Sequence, residues 1–164
     1  MIPAGRHLVL GIGNTLNSDE GVGVHAVALL QQALGNPPSI EFLDGGTLGL
    51  NLLPLVEEAR HLLLLDAVNA GQPAGTIVEL TRDEIPLFAG VKMSQHQLTF
   101  QEVLGLAKVR GKLPEHLRLI GVQPADLSVG VGLSDIVANA IPGVLERAEE
   151  VLREWGLLKE KTGA

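Results

Sequence analysis

The segment "HLLLLDAVNAG", residues 61–71, contains the longest apolar run in the chain and most restricts the folds open to it. Apolar and polar residues do not alternate in this segment, as they would in a strand with one face in water. An unbroken run is typical of a strand covered on both faces, as in the centre of a parallel sheet. The run is too short to span a bilayer, which requires about 20 apolar residues. We therefore predict a buried central strand and an α/β fold.

Strand-like and helix-like segments alternate along the rest of the chain. The predicted strands are 7–13, 40–46, 61–71, 75–81 and 117–124, and the predicted helices are 19–34, 48–59, 94–111 and 134–158, with a loop at 82–93. The alternating residues of 75–81 favour a place nearer an edge of the sheet. This order predicts a three-layer α/β/α fold around a mostly parallel twisted sheet of about five strands, in a single domain, residues 1–164.

The last predicted helix contains Pro142, which is expected to kink or divide it. The apolar side of this helix is predicted to contain Ile136, Ala140, Val144, Ala148, Val151 and Trp155. Their spacing of three and four residues is typical of an amphipathic helix that packs on a sheet.

Charge and cysteine content exclude several classes of protein. The net charge is −7 and no basic run occurs, so nucleic acids and anionic membrane surfaces are poor partners. The absence of cysteine excludes disulfides, thiolate metal sites and cysteine nucleophiles, so any metal must take oxygen and imidazole ligands. The first residues lack the pattern of a signal peptide, and no exposed heptad seam suggests assembly. We expect a soluble cytoplasmic monomer.

The segment "LVLGIGNTLNSDEGVG", residues 8–23, begins like a dinucleotide-binding site, with an apolar strand followed by two spaced glycines. The third glycine of the G-x-G-x-x-G fingerprint, which lets helix and strand pack closely, is replaced by Leu16. Asp19 and Glu20 would also repel a pyrophosphate. Binding of NAD or FAD is therefore kept only as an alternative.

Asp19 and Glu20 lie in the first turn of the predicted helix 19–34, where the helix dipole favours a carboxylate by about 0.3–1 kcal/mol. For Asp19 this capping role is the favoured interpretation. For Glu20 both capping and a functional role stay open, because other acids occupy similar positions. Asp44 ends the second predicted strand and Asp66 ends the third. Since ligands of open α/β sheets bind outside the carboxyl ends of the strands, these acids lie where a ligand is expected.

Asp66 directly follows a run of leucines, and a charge so near a dry core is costly unless it is paired, hydrogen-bonded or coordinated. Alone, it would be interpreted as a strand end that accepts hydrogen bonds from backbone amides. His96 lies in the first turn of a helix that begins with an S-x-x-Q capping box, Ser94 to Gln97, and the positive helix end keeps its imidazole neutral. Glu20, Asp66 and His96 then offer one nitrogen and two carboxylates, which suits a divalent metal such as Ni, Zn or Fe(II).

Two further features have no single interpretation. The segment "DGGTLG", residues 44–49, is either a tight turn that needs positive φ or a glycine-rich lip that an extended peptide can approach. Four other histidines are weaker site candidates, because His7 and His61 begin strands at the opposite edge of the sheet, His25 lies within a helix and His116 in a polar turn. No Ser–His–Asp pattern, G-x-S-x-G or H-E-x-x-H motif occurs.

The segments "GIGNTLNSDEGVG", "LDGGTLG", "LLLLDAV", "SQHQ" and "GVQP" together resemble the hydrogenase maturation endopeptidases in order and spacing, over about residues 7–155. That family removes a short C-terminal peptide from the large-subunit precursor of [NiFe] hydrogenase after nickel insertion. The resemblance implies that Glu20, Asp66 and His96 contact nickel, and that Asp44 matches another position implicated in activity. It also implies that the precursor supplies the nickel, although another divalent metal can occupy the site.

The resemblance leads to a hypothesis of metal-directed peptide hydrolysis. The nickel in the precursor would dock the substrate, and it could polarise the scissile carbonyl or acidify a water molecule. Asp44 and Glu20 are both candidates for a general base, and the sequence does not choose between them. Because no protease nucleophile is visible, a non-catalytic metal-binding chaperone that uses the same residues is the alternative from another class.

Overall fold

The computed structural model describes residues 2–46, 49–85 and 97–159, with the backbone alone for 97–99. These residues form a five-stranded sheet with helices on both faces, so the predicted three-layer α/β/α class is confirmed. The strands are β1 (Arg6–Ile12), β2 (Glu41–Gly46), β3 (Ala59–Ala67), β4 (Ile77–Thr81) and β5 (His116–Val122), in the order β2-β1-β3-β5-β4. The α-helices are α1 (Val22–Leu34), α2 (Leu53–Glu58), α3 (Gln97–Val109), α4 (Asp135–Ala138) and α5 (Ile141–Glu154). Within these ranges no helix has the length and apolar character needed to cross a membrane.

The unbroken apolar strand β3 occupies the centre of the sheet, as its sequence predicts. It pairs in parallel with β1 on one side and with β5 on the other. Leu62 and Leu64 pack into the core on one face, and Leu63 and Leu65 pack into the core on the other. Because β2, β1, β3 and β5 all run in parallel, their C-terminal ends meet at one side of the sheet, which we call the carboxyl edge.

Two apolar cores cover the two faces of the sheet. The first joins the strands to α2 and α3, through residues that include Val56 and Leu104. The second joins the strands to α1 and α5, through residues that include Leu30 and Val151. Each helix therefore contributes a buried apolar stripe, and the strands separate the two cores.

Strand β4 pairs antiparallel with β5 at the edge of the sheet, which confirms the position expected from its alternating residues. Its Glu79 forms ion pairs with Arg147 of α5 at 2.8 Å and with Arg118 of β5 at 2.9 Å. These contacts attach the edge strand to the helix that covers it.

Pro142 divides the last predicted helix, as expected. It lies in the first turn of α5, where the missing N–H of proline costs no helical hydrogen bond, and α4 ends before it. The break changes the phase of the apolar side, so the prediction that Ile136 faces the core is wrong. Ile136 is 50% exposed, and the neighbouring Val137 is fully buried in its place.

Several predicted boundaries differ from the structure. The helix expected at 19–34 begins as a 3-10 helix, Ser18–Gly21, and the helix expected at 48–59 begins as a second one, Gly49–Leu52. Strand β3 begins two residues earlier than predicted and ends at Ala67. Ser94, on which the capping box depends, and most of the predicted loop 82–93 lie outside the described residues.

Candidate active site

Glu20 lies in the 3-10 helix Ser18–Gly21, between the end of β1 and the start of α1. Gly13 turns the chain out of β1 with a φ of +129°, and a Cβ at this position would collide with the carbonyl oxygen of Glu20. A residue other than glycine at this position would therefore push the turn away from the sheet. Glu20 is only 4% exposed, so this close approach brings a carboxylate into the protein interior at the carboxyl edge.

Gly23 brings the first turn of α1 against the strands. A Cβ on Gly23 would collide with the carbonyl oxygen of Leu65 and would lie 2.6 Å from that of Ile12. In a dinucleotide-binding loop the third glycine of the fingerprint provides this close contact between helix and strand. Here Gly23 provides it, later in the chain, and so fixes the turn Ser18–Gly21 close to the residue that follows Leu65, which is Asp66.

Asp66 lies near the end of β3 and is 3% exposed. Its Oδ1 accepts a hydrogen bond from the backbone N–H of Ala67, at 2.8 Å. Burial raises the pKa of Asp66 well above its usual range; the hydrogen bond from Ala67 opposes this shift, and the negative charge of Glu20 adds to it. Glu20 and Asp66 are therefore close enough to interact electrostatically, and two buried carboxylates in this relation favour a cation beside them.

Asp44 and His96 are the other two predicted site residues. Asp44 lies opposite Gly11 in the register of β2 and β1, and its side chain is exposed at the carboxyl edge. It lines a depression of about 210 Å³ together with residues that include Gly13 and Leu16. His96 lies outside the described residues. Within those residues, no group of three or more histidine, aspartate and glutamate side chains is arranged to hold a metal ion.

Asp19 lies in the first turn of the 3-10 helix Ser18–Gly21, as expected, but its carboxylate makes no capping hydrogen bond to that helix. Its carboxylate accepts hydrogen bonds from the backbone N–H groups of Ala125, Asp126 and Ser134, and from the hydroxyl of Ser134, at 2.7–2.9 Å. Burial raises the pKa of Asp19, but these hydrogen bonds outweigh burial and hold the pKa below its usual value. An ionised, fully buried Asp19 therefore fastens the loop 125–134 to the turn that carries Glu20.

Ser18 lies in the same turn and has a φ of +51°, in the left-handed region that is uncommon for a residue other than glycine. Its backbone N–H donates to the carbonyl oxygen of Gly130 at 3.0 Å, and its hydroxyl donates to that of Ser128 at 2.9 Å. A strained conformation of this kind persists only where its surroundings hold it. The loop after β5 therefore determines the shape of the turn before α1.

Gln123, at the end of β5, is a further residue of the carboxyl edge to which the sequence analysis gave no role. It is 7% exposed, and its Oε1 accepts hydrogen bonds from the backbone N–H groups of Ala70 at 2.8 Å and Gln72 at 3.2 Å. Its Nε2 donates to Oδ1 of Asn69 at 3.1 Å. Gln123 thus holds the loop that follows Asp66 and β3. The sequence feature that could have indicated this role is the position of Gln123, a polar residue between an apolar strand and a proline.

A second, larger depression of about 760 Å³ lies at the opposite edge of the sheet, where β3 and β5 begin. Its lining includes Glu57, Arg60 and Arg110, and Arg110 forms an ion pair with Glu57 at 2.7 Å. The charges there are partly paired at the surface, unlike the buried carboxylates at the carboxyl edge. The latter are therefore the better candidate for chemistry.

The fold and this site define a class of protein: an α/β protein without cysteine that holds buried carboxylates at the carboxyl edge of a parallel sheet. Carboxylates in such a position can bind a cation or move a proton during hydrolysis. Many proteins fit this description, and the similarity of this chain to known proteins identifies a narrower class.

The family model described as hydrogenase maturation protease (HycI) matches residues 24–151. The hydrogenase expression/formation protein HupD of Rhizobium leguminosarum bv. viciae is 47% identical over 157 residues, which cover 94% of this chain and 78% of HupD. The hydrogenase 2 maturation protease of Escherichia coli (strain K12) is 39% identical over 153 residues, which cover 93% of each chain. The structure of the hydrogenase maturating endopeptidase HybD from E. coli matches with a TM-score of 0.83 and 39% identity, over 92% of this chain and 94% of that one.

The chain belongs to the hydrogenase maturation protease family, and it is an endopeptidase. This finding confirms the resemblance that the sequence segments indicated. It also favours a catalytic protein over a metal-binding chaperone and over a nucleotide-binding module.

Proposed function

We propose that this endopeptidase removes the C-terminal peptide of the nickel-loaded large-subunit precursor of a [NiFe] hydrogenase. The observation that supports this proposal best is the pair of buried carboxylates, Glu20 and Asp66, which interact at the carboxyl edge of the sheet. Burial and the charge of Glu20 raise the pKa of Asp66, so a divalent cation that displaced this proton would be held by two carboxylates at once. A nickel ion carried by the precursor supplies such a cation.

In this proposal Glu20, Asp66 and His96 complete the coordination of the nickel that the precursor carries. Two carboxylates and one imidazole are ligands that nickel accepts, and they leave positions for ligands from the precursor. The ion would dock the precursor and polarise the scissile carbonyl or lower the pKa of a water molecule. The nickel is thus part of the substrate, and another divalent metal is expected to occupy the same ligands in its absence.

We assign the proposed hydrolysis to the aspartic type, in which a carboxylate acts as general base, and the chain offers neither a cysteine nor a Ser–His–Asp pattern as a nucleophile. Asp44 and Glu20 are the candidate general bases. Asp44 is exposed beside a depression at the carboxyl edge, where a substrate peptide could approach it, whereas Glu20 is buried. We further propose that the protein acts as a monomer in the cytoplasm, with neither nucleic acid nor membrane as a partner.

The proposal is tested by mass spectrometry of the precursor after incubation with the purified protein. Nickel-loaded and nickel-free precursors are compared, and the protein is used as wild type, Glu20→Gln and Asp66→Asn. Glu146→Gln is the matched control, because Glu146 is an exposed glutamate on α5. Circular dichroism verifies that each variant is folded.

We expect loss of a C-terminal peptide only from the nickel-loaded precursor, and only with the wild type and Glu146→Gln. Efficient cleavage of the nickel-free precursor would contradict the role of nickel. An unchanged precursor mass in spite of tight binding would contradict hydrolysis of this substrate and favour a chaperone role. Full activity of Glu20→Gln would show that the carboxylate of Glu20 is not needed for cleavage.

A further inference from the structure

Exposed apolar side chains are concentrated on two loops of the carboxyl edge. Among the described residues ten large apolar side chains are exposed, and four of them lie on the loops that follow β1 and β5: Leu16 at 61%, Leu127 at 41%, Val129 at 87% and Val131 at 87%. We call these four residues the apolar rim. Isolated exposed apolar residues are common in proteins, but several on adjoining loops mark an interaction surface.

The two loops are joined to each other by hydrogen bonds. The backbone N–H of Gly130 donates to the carbonyl oxygen of Leu16 at 2.9 Å, and that of Ser18 donates to the carbonyl oxygen of Gly130 at 3.0 Å. The side-chain amide of Asn17 donates to the carbonyl oxygen of Leu127 at 3.3 Å. The apolar rim is therefore displayed on a bridged pair of loops.

Asp19 fastens this pair of loops to the turn that carries Glu20. Its buried carboxylate accepts four hydrogen bonds from the loop 125–134, two of them from Ser134. The exposed side chains of Val129 and Val131 themselves add little to the stability of the fold, because they bury almost no surface. The hydrogen bonds to Asp19 do reduce the conformational entropy that the loops would lose when a partner binds them.

We propose that the apolar rim is the surface on which the large-subunit precursor docks during cleavage. This inference rests on the proposed function. A precursor whose C-terminal segment reaches Glu20 also lies over the loops that are hydrogen-bonded to the same turn. In this proposal the apolar rim contacts an apolar patch of the folded precursor, next to the segment that is cut.

The test replaces both exposed valines, in the variant Val129→Ser/Val131→Ser. The matched control is Leu29→Ser/Val109→Ser, which removes two exposed apolar side chains from α1 and α3, away from the rim. Cleavage of nickel-loaded precursor is measured as kcat and KM. Binding of the precursor is measured separately by calorimetry, with Asp44→Asn added to every protein to slow cleavage, because Asp44 is a candidate general base and is not one of the proposed nickel ligands. Thermal unfolding verifies the fold of each variant.

We expect the rim variant to bind the precursor about tenfold more weakly or worse, because two apolar contacts are lost, and we expect the change in cleavage to fall on KM. The control should behave as the wild type. If the wild type cuts the precursor and the rim variant keeps its KM and affinity, the docking surface is wrong while the proposed function stands. If the wild type binds the precursor without cutting it, the proposed function fails. The docking surface is then tested only by comparing the calorimetric affinities of the rim variant and the control. If the wild type does not bind the precursor, both proposals fail.

Discussion

At the scale of single residues, Asp19 has a role that its sequence neighbours do not reveal. All four hydrogen bonds to its carboxylate come from residues more than 100 positions later in the chain. We predict that Asp19→Asn destabilises the protein by about 2–3 kcal/mol, because the amide that replaces one oxygen of this buried carboxylate cannot accept these part-buried hydrogen bonds. Urea unfolding measures the change. Asp135→Asn, at an exposed aspartate, is the control, and an equal effect of both variants would contradict the prediction.

His61 lies at the opposite edge of the sheet, where the sequence analysis placed it. Its ring stacks on that of His116, with centroids 4.3 Å apart, and its Nδ1 lies 3.0 Å from Nδ1 of His7. Nε2 of His7 donates to the carbonyl oxygen of Pro3 at 2.7 Å, so in neutral rings His61 donates to His7. Burial, together with the neighbouring charges of His116, His7 and Arg60, lowers the pKa of His61 to about 4.

A pH dependence of stability follows from this lowered pKa. His61 binds its proton in the unfolded chain at the ordinary value of 6.5, but in the folded protein only at about 4. Between these values the unfolded state binds more protons, so the stability from His61 is complete above the upper value and is lost as the pH falls toward the lower one. We predict that His61→Leu reduces the slope of unfolding free energy in this window by up to about 1.4 kcal/mol per pH unit. Urea unfolding at several pH values measures the slope, and equal slopes in both proteins would contradict the prediction.

At the scale of helices and strands, Gly23 controls how closely α1 approaches the sheet. Alanine normally stabilises a helix interior by about 1 kcal/mol relative to glycine. At Gly23, however, a Cβ would collide with the backbone oxygen of Leu65, which cannot move without disturbing the central strand. We predict that Gly23→Ala destabilises the protein by about 1–3 kcal/mol and reduces cleavage of the precursor, because α1 moves away together with the turn that carries Glu20.

Gly143→Ala is the matched control for this prediction, since it also adds a methyl group to a helix. A Cβ on Gly143 would meet only the end of the Ile77 side chain, at 2.7 Å, and this side chain can turn aside. The control should leave stability unchanged or increase it. Thermal unfolding and the cleavage assay together measure both variants, and a neutral Gly23→Ala would show that α1 is not held by this contact.

The sequence predicted the elements whose signals are local. The unbroken leucines of β3 indicated a central strand, the alternation in β4 indicated an edge, and Pro142 indicated where the last helix divides. The two 3-10 helices were missed because their residues also suit the first turn of an α-helix. The acids at the strand ends could be proposed as a group because parallel strands bring their C-terminal ends together. The hydrogen-bond partners of Asp19 could not be predicted, because hydrogen bonds between distant loops leave no periodic pattern in the sequence.

At the scale of the whole molecule, the two cores lie on opposite faces of one sheet. Alternate residues of β3 belong to different cores, as Leu63 and Leu64 show. If β3 is displaced because its packing on one face is lost, its residues on the other face lose their packing too. This arrangement favours the expectation from the sequence that residues 1–164 form a single domain.

A pair of core substitutions tests that expectation. Leu104 of α3 belongs to the first core and Leu30 of α1 to the second, and both are fully buried. Leu104→Ala and Leu30→Ala each remove buried apolar volume and should each destabilise the protein by about 2–5 kcal/mol. If both cores unfold as one cooperative unit, calorimetry will show a single transition in the wild type, and each variant will shift that whole transition to lower temperature. Two separate transitions, with each variant shifting only one of them, would show instead that the sheet does not couple its two faces and that the chain does not fold as one domain.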